Sequence, residues 1–293
     1  MDELSLVHLP ALMSLSTGGA DVIVGIVDGP VALDHPDLAQ ATIKSFPGWG
    51  VGCRDPRSVS CQHGTSVVGI LAASRQSQPP GIAPECTYVL RPVFTENTPA
   101  GEMPTAAVRE VAEAIVDCVH AGARIINLSL AVSGGGFTSD QMLRAAMDFA
   151  SQRSVLVIAA VGNHRVIGGN MDVLRHACTI PVIAYSLLGQ PLPQAHIAAS
   201  IGRSGLGAPG KDVFGLASSG GTAVFTGTSI AAPFVTGAAV LLRSIYPAVA
   251  ASEVKHALIS TRAGQQRSIV PGLLNAWAAY QLLSTHTYRK VLA

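Results

Sequence analysis

The sequence predicts a three-layer α/β protein, with a mainly parallel central sheet flanked by helices, on three observations. Apolar β-rich runs at 22–27, 88–94, 124–130, 155–160 and 178–184 alternate with helix-like stretches. Such alternation implies right-handed crossovers between parallel strands. The runs are continuously apolar, as in Val22-Ile-Val-Gly-Ile-Val27, which marks strands covered on both faces. Finally, 48% of residues are hydrophobic and only 13% charged, in a chain of 293 residues. That is enough to bury such a sheet.

Each element has its own warrant. The first run, 22–27, halts on Asp28-Gly-Pro, a turn signal. A helix is expected over 63–74, where Val67, Val68, Ile70 and Leu71 can bury one face. The turn Gln78-Pro-Pro-Gly-Ile-Ala-Pro84 precedes the second strand. The next helix, 104–120, has Pro104 in its first turn, where the missing N–H costs nothing, and stops at Ala121-Gly122. A helix over 139–153 separates the third and fourth strands, and 229–245, 252–260 and 273–283 read as three closing helices. No repeat or low-complexity linker divides the chain, so residues 1–293 read as one domain, with an N-terminal extension at 1–20 and a core at about 21–284.

Composition excludes several partners. Net charge is +1 with no basic run, which disfavours nucleic acid and anionic membrane surfaces. No stretch reads as a membrane span. The start, Met1-Asp-Glu-Leu, lacks the basic and apolar regions of a signal peptide, so a cytoplasmic protein is expected. The mature domain of a secreted protein would read the same way. Five cysteines, at 53, 61, 86, 118 and 178, form no CxxC pair, so no zinc site is expected. Cys53 and Cys61 flank the loop before His63. A small disulfide and a pair of free thiols in a reducing compartment are both open readings. Gly205-Leu-Gly207-Ala-Pro-Gly210 matches GxGxxG, but Pro209 interrupts it and no strand-to-helix turn is apparent, so no dinucleotide or other cofactor is expected. The absence of GxSxG disfavours an α/β-hydrolase esterase.

Chemistry gathers at distant points. Asp28 ends a strand, where α/β proteins place their sites, although a turn aspartate reads the same way. His63 opens a helix-like stretch. Ser229 sits between small residues before another helix, whose N-terminal dipole favours developing negative charge; a helix cap is the alternative reading. The order Asp, His, Ser, with the flanks Gln62-His63-Gly64-Thr65-Ser66 and Gly227-Thr228-Ser229-Ile-Ala-Ala-Pro233, resembles the subtilase family of serine proteases. The resemblance implies a subtilisin-like fold in which Ser229 attacks, His63 shuttles the proton and Asp28 orients the imidazole. It also implies that Asn163, in Val161-Gly162-Asn163, donates to the oxyanion. Ser66 departs from the pattern, which commonly has a second histidine there. The segment Ile126-Asn127-Leu128-Ser129-Leu130 resembles the family strand that pairs with substrate backbone. Ser129, Leu130, Ala131 and Gly162 are therefore its implied substrate-binding residues. Ala131-Val132 stands where the family usually has glycine, which implies a narrower pocket.

Shorter likenesses point to a subgroup. Asp28-Gly-Pro, Gly81-Ile-Ala-Pro-Glu-Cys86 and Arg91-Pro-Val-Phe94 resemble proteases of cyanobactin-type precursor maturation. That resemblance implies a peptide or precursor-peptide substrate from which a leader or flanking segment is removed. The competing readings are a secreted general protease seen as its mature domain, and a catalytically silent peptide-binding relative. Asp37 in His35-Pro-Asp-Leu is one carboxylate, too few for calcium, so no metal is expected. No insertion between Cys61 and Gly81 has the size of the lid that cyclising relatives carry, so hydrolysis is expected over cyclisation.

Overall fold

The computed structural model describes residues 2–46, 49–97, 105–130, 132–133, 137–162, 170–193, 199–263 and 269–292. Its strands are β1 (Ile23–Asp28), β2 (Thr42–Ser45), β3 (Thr87–Pro92), β4 (Ala106–Ala107), β5 (Ile125–Leu128), β6 (Val132–Ser133), β7 (Leu156–Ala160), β8 (Thr179–Tyr185), β9 (Leu206–Pro209), β10 (Val213–Leu216) and β11 (Thr222–Phe225). Its helices are α1 (Glu3–Leu6), α2 (Leu9–Met13), α3 (Val59–Ala72), α4 (Val108–His120), α5 (Phe137–Gln152), α6 (Asn170–Arg175), α7 (Ala199–Ser204), α8 (Thr228–Ile245), α9 (Ala251–Ser260) and α10 (Ala276–Leu292). Seven strands form one sheet in the order β2-β3-β1-β5-β7-β8-β9, and every pairing in it is parallel. β10 and β11 make an antiparallel hairpin.

The period of two along each strand divides the core. Val24 and Ile26 of β1, Tyr88 and Leu90 of β3 and Ile158 of β7 face the side that holds α3 and α8. Val27, Ile126, Leu128 and Val157 face the other side, against Val111 and Ile115 of α4 and Leu143 and Met147 of α5. Both faces are thus covered, which is why the strands read as unbroken apolar runs.

Several boundaries differ from the sequence reading. α3 begins four residues before His63, because Ser58 caps it by accepting the Cys61 amide at 3.2 Å. α4 begins at Val108, after β4, where Glu110 reaches back to the Ala107 amide; Pro104 lies outside the described residues. α10 begins at Ala276, not 273, because Leu273 and Leu274 bond to Ala263 and Gly207 and Asn275 then caps the helix. In the seven-stranded sheet, β2 and β9 lie outside the strands that the sequence predicts, as do the short β4, β6, β10 and β11 beside it. β2 is a mostly exposed edge strand with one apolar residue, Ile43, and β9 contains Gly207 and Pro209, which an edge strand tolerates.

The N-terminal residues belong to the core. Val7, Leu9 and Leu12 are fully buried. The Arg75 guanidinium donates to the carbonyls of Met13, Ser16 and Ile82 at 3.1, 2.9 and 2.6 Å. α8 has the length and composition of a membrane span, yet 78% of it is buried in the fold, as in a core helix. It is the central helix of the α3 side.

Candidate active site

β1 lies between β3 and β5 and delivers Asp28 to the C-terminal edge of the sheet. The carboxylate is 1% exposed. Its Oδ1 lies 2.7 Å from His63 Nδ1 and accepts the Gly29 amide at 2.6 Å. Oδ2 is buried without a hydrogen-bond partner among the described residues. A carboxylate can only accept, so the ring proton sits on Nδ1, and Nε2 is left as the acceptor. Two glycines make the contact possible. A Cβ on Gly64 would lie 2.5 and 2.6 Å from the carbonyls of Pro30 and Gly29, and one on Gly29 would strike the Ser60 carbonyl. Without side chains at both positions, α3 can close onto the end of β1.

The surroundings hold the ring still. The Phe94 ring meets His63 edge-on with centroids 6.1 Å apart. Ser66, the departure from the family pattern, donates its hydroxyl to the His63 carbonyl at 2.9 Å. The Cys53–Cys61 disulfide is formed, with Cα atoms 5.6 Å apart, and joins the preceding loop to the first turn of α3. Burial disfavours the charged imidazole, but the charge of Asp28 and its hydrogen bond outweigh burial and hold the His63 pKa above its ordinary 6.5.

Ser229 is the second residue of α8 and half-buried. α8 packs along α3 and beneath β5, β7, β8 and β9. Two hydrogen bonds tie its N-terminus to the sheet edge: Ser129, just past β5, donates its hydroxyl to the Ser229 carbonyl at 2.8 Å. The Gly162 amide, just past β7, donates to Thr228 Oγ1 at 3.0 Å. β1, β5 and β7 are neighbours, so Asp28 and His63 share an edge with the start of α8.

The implied substrate residues differ in what they present. Gly162 adopts φ +96°, and a Cβ there would meet nothing within 4 Å among the described residues. Ser129 is 1% exposed with its hydroxyl turned inward. Leu130 packs into the core on the α4–α5 side. Neither side chain faces solvent. Asn163 and Ala131 lie outside the described residues. Residues that sequence reasoning missed are Ser58, Gly29 and Thr228. Only Ser58 carried a local signal, as a serine three residues ahead of an amide it can cap. The described group with metal-ligand spacing, Cys53, Cys61 and Glu96, is otherwise engaged: the thiols are paired and Glu96 accepts the amides of Arg54 and Asp55.

The relatives of this arrangement are known. A profile of the subtilase family matches residues 19–276. Subtilisin DY of Bacillus licheniformis is 31% identical over 266 residues, covering 90% of this chain and 92% of its own sequence. Subtilisin E of Bacillus subtilis (strain 168) is 27% identical over 281 residues, covering 95% and 70% respectively. Among solved structures, the protease domain of PatA superposes with a TM-score of 0.80 at 28% identity, over 93% of this chain and 98% of that one. The prenylagaramide maturation protease PagA gives 0.77 at 28% identity, over 94% and 98%. The PatG macrocyclase in complex with peptide shares the fold, with a TM-score of 0.79 at 20% identity, over 97% and 98%. With the family profile running from before β1 into the start of α10, and the aspartate and histidine motifs meeting where that family joins them, the chain belongs to the subtilase family of serine proteases.

Proposed function

We propose that this serine protease is a processing endopeptidase that removes a leader or flanking segment from a ribosomally made precursor peptide. Ser229 Oγ attacks the scissile carbonyl as its proton passes to His63 Nε2. Asp28 holds the Nδ1 proton and stabilises the imidazolium. Asn163 and the N-terminus of α8 receive the oxyanion. His63 then protonates the leaving amine, and water resolves the acyl-enzyme by the same steps in reverse. The observation that carries this reading is the 2.7 Å bond between His63 Nδ1 and a buried Asp28, on the edge where α8 begins. Likeness to PagA, named as a maturation protease, supports the substrate class.

Hydrolysis, rather than cyclisation, is the expected fate of the acyl-enzyme. The chain between α3 and β3 adds no helix or strand that could cover it, and an acyl-enzyme partitions to water unless water is excluded. A fluorophosphonate probe should label the wild type and spare Ser229→Ala. Incubation with a candidate precursor should give fragments whose summed mass exceeds the precursor by one water. Equal labelling of Ser229→Ala defeats the triad, and a macrocyclic product defeats hydrolysis.

The Cys53–Cys61 disulfide favours a second reading of where the enzyme works, since such bonds persist in oxidising compartments. Differential alkylation of freshly lysed cells decides: oxidised cysteines support a secreted or periplasmic enzyme, and free thiols a cytoplasmic one.

A further inference from the structure

The nucleophile's own carbonyl has lost its normal helical partner. In an α-helix the carbonyl of residue 229 accepts the amide of residue 233. Here that residue is Pro233, inside α8, which has no N–H and whose ring crowds the carbonyl four residues back. A shielded carbonyl left without a donor is costly, and this one, half-buried, lies in the turn that carries Ser229.

We infer that Ser129 is a positioning residue whose hydroxyl stands in for the amide that Pro233 lacks. It donates to the Ser229 carbonyl at 2.8 Å. Its own orientation is set from behind: Asn127 Nδ2 donates to Ser129 Oγ at 2.7 Å, and Thr236 Oγ1 donates to Asn127 Oδ1 at 2.8 Å. Asn127 and Thr236 are fully buried and Ser129 is 1% exposed. Each hydroxyl donates once, and both ends of the amide are used, so no member can reverse without orphaning another. The circuit starts and ends on α8, since Thr236 lies further along the same helix. It therefore clamps the helix start to β5 at two heights. This also accounts for a serine at 129 whose side chain faces away from solvent: it fixes the nucleophile rather than the substrate.

The inference rests on Ser229 being the nucleophile, and the test separates the two. Labelling by a fluorophosphonate and steady-state cleavage of a peptide substrate are measured for wild type, Ser129→Ala, Ser129→Ala with Pro233→Ala, Thr236→Val and the Ser229→Ala control, with thermal unfolding alongside. Ser129→Ala should be labelled and should turn over roughly 10- to 100-fold more slowly, the size expected for orphaning a shielded acceptor at the reacting turn, with little change in KM. Adding Pro233→Ala restores an amide at 233 and should recover much of the loss, although it removes a second native side chain. No recovery, or a raised KM with unchanged kcat, overturns the inference. If Ser129→Ala does not fold, Thr236→Val decides, because it keeps the side-chain shape and cuts only the far link. Slower labelling then supports the relay, and a wild-type rate overturns it. Equal labelling of Ser229→Ala removes the nucleophile itself, a different failure from a wild-type rate in Ser129→Ala.

Discussion

His63 is a compromise between burial, which discourages its charge, and Asp28, which invites it; Asp28 prevails. The pH consequence follows from the sign. Catalysis needs neutral His63, so kcat/KM should rise with pH along a limb whose apparent pKa exceeds 6.5. Stability moves the other way. A raised folded-state pKa contributes stability that is complete below the unfolded value and fades as pH climbs through the folded one. Across that window the enzyme should gain activity as it loses this contribution. Asp28→Asn should lower the limb and cut kcat by roughly 10⁴-fold, the magnitude seen on removing the triad aspartate in subtilisin and in the unrelated, convergent chymotrypsin-type triad. A wild-type limb at or below the ordinary histidine value would show that Asp28 does not govern the ring.

α3 is the element on which the site depends most. It must present His63 at a fixed height, and its first turn is held by the Ser58 cap and by the disulfide at Cys61, two residues before the histidine. Closing a loop with a sequence separation of 8 contributes roughly 2.5 kcal/mol by constraining the unfolded chain. Reduction, or paired Cys53→Ser and Cys61→Ser substitution, should therefore lower the thermal midpoint and reduce turnover together. Unchanged midpoint and turnover after verified reduction would make the bond incidental. Gly64→Ala is a sharper probe of the same element, because its methyl meets backbone carbonyls that cannot rotate away. It should cost more activity than stability, as the helix backs off from Asp28.

In the molecule as a whole, two apolar layers press on one parallel sheet, and the layer under α8 extends to the N-terminal residues. Val7, Leu9 and Leu12 sit in the same cluster as Ile26 and Leu241. Deleting residues 2–15 removes three fully buried side chains, a loss on the order of 5 kcal/mol at ~1.5–3 kcal/mol each. The truncated chain should express poorly or unfold at a much lower temperature in a melting experiment. A midpoint within a degree or two of wild type would mean that these residues only decorate the core.

The sequence by itself determined the class of fold, the direction of the sheet and the catalytic residue types. Continuous apolar runs have one economical solution, a sheet covered on both faces, and the Asp28, His63 and Ser229 segments carry their flanks with them. Local signals were weaker at the edges. β2 has one apolar residue in four and is mostly exposed, whereas β9 is buried but only four residues long and holds a glycine and a proline, which hide its strand character. Tertiary structure alone decided the rest. Nothing local says that Gly29 and Gly64 exist to let two backbones meet, or that Cys53 reaches Cys61 rather than remaining a thiol. Nor can a local reading show that Ser129, 100 residues from Ser229, supplies the hydrogen bond that Pro233 withholds. Such contacts join residues far apart along the chain, and their energies depend on burial and distance, which exist only once the chain has folded.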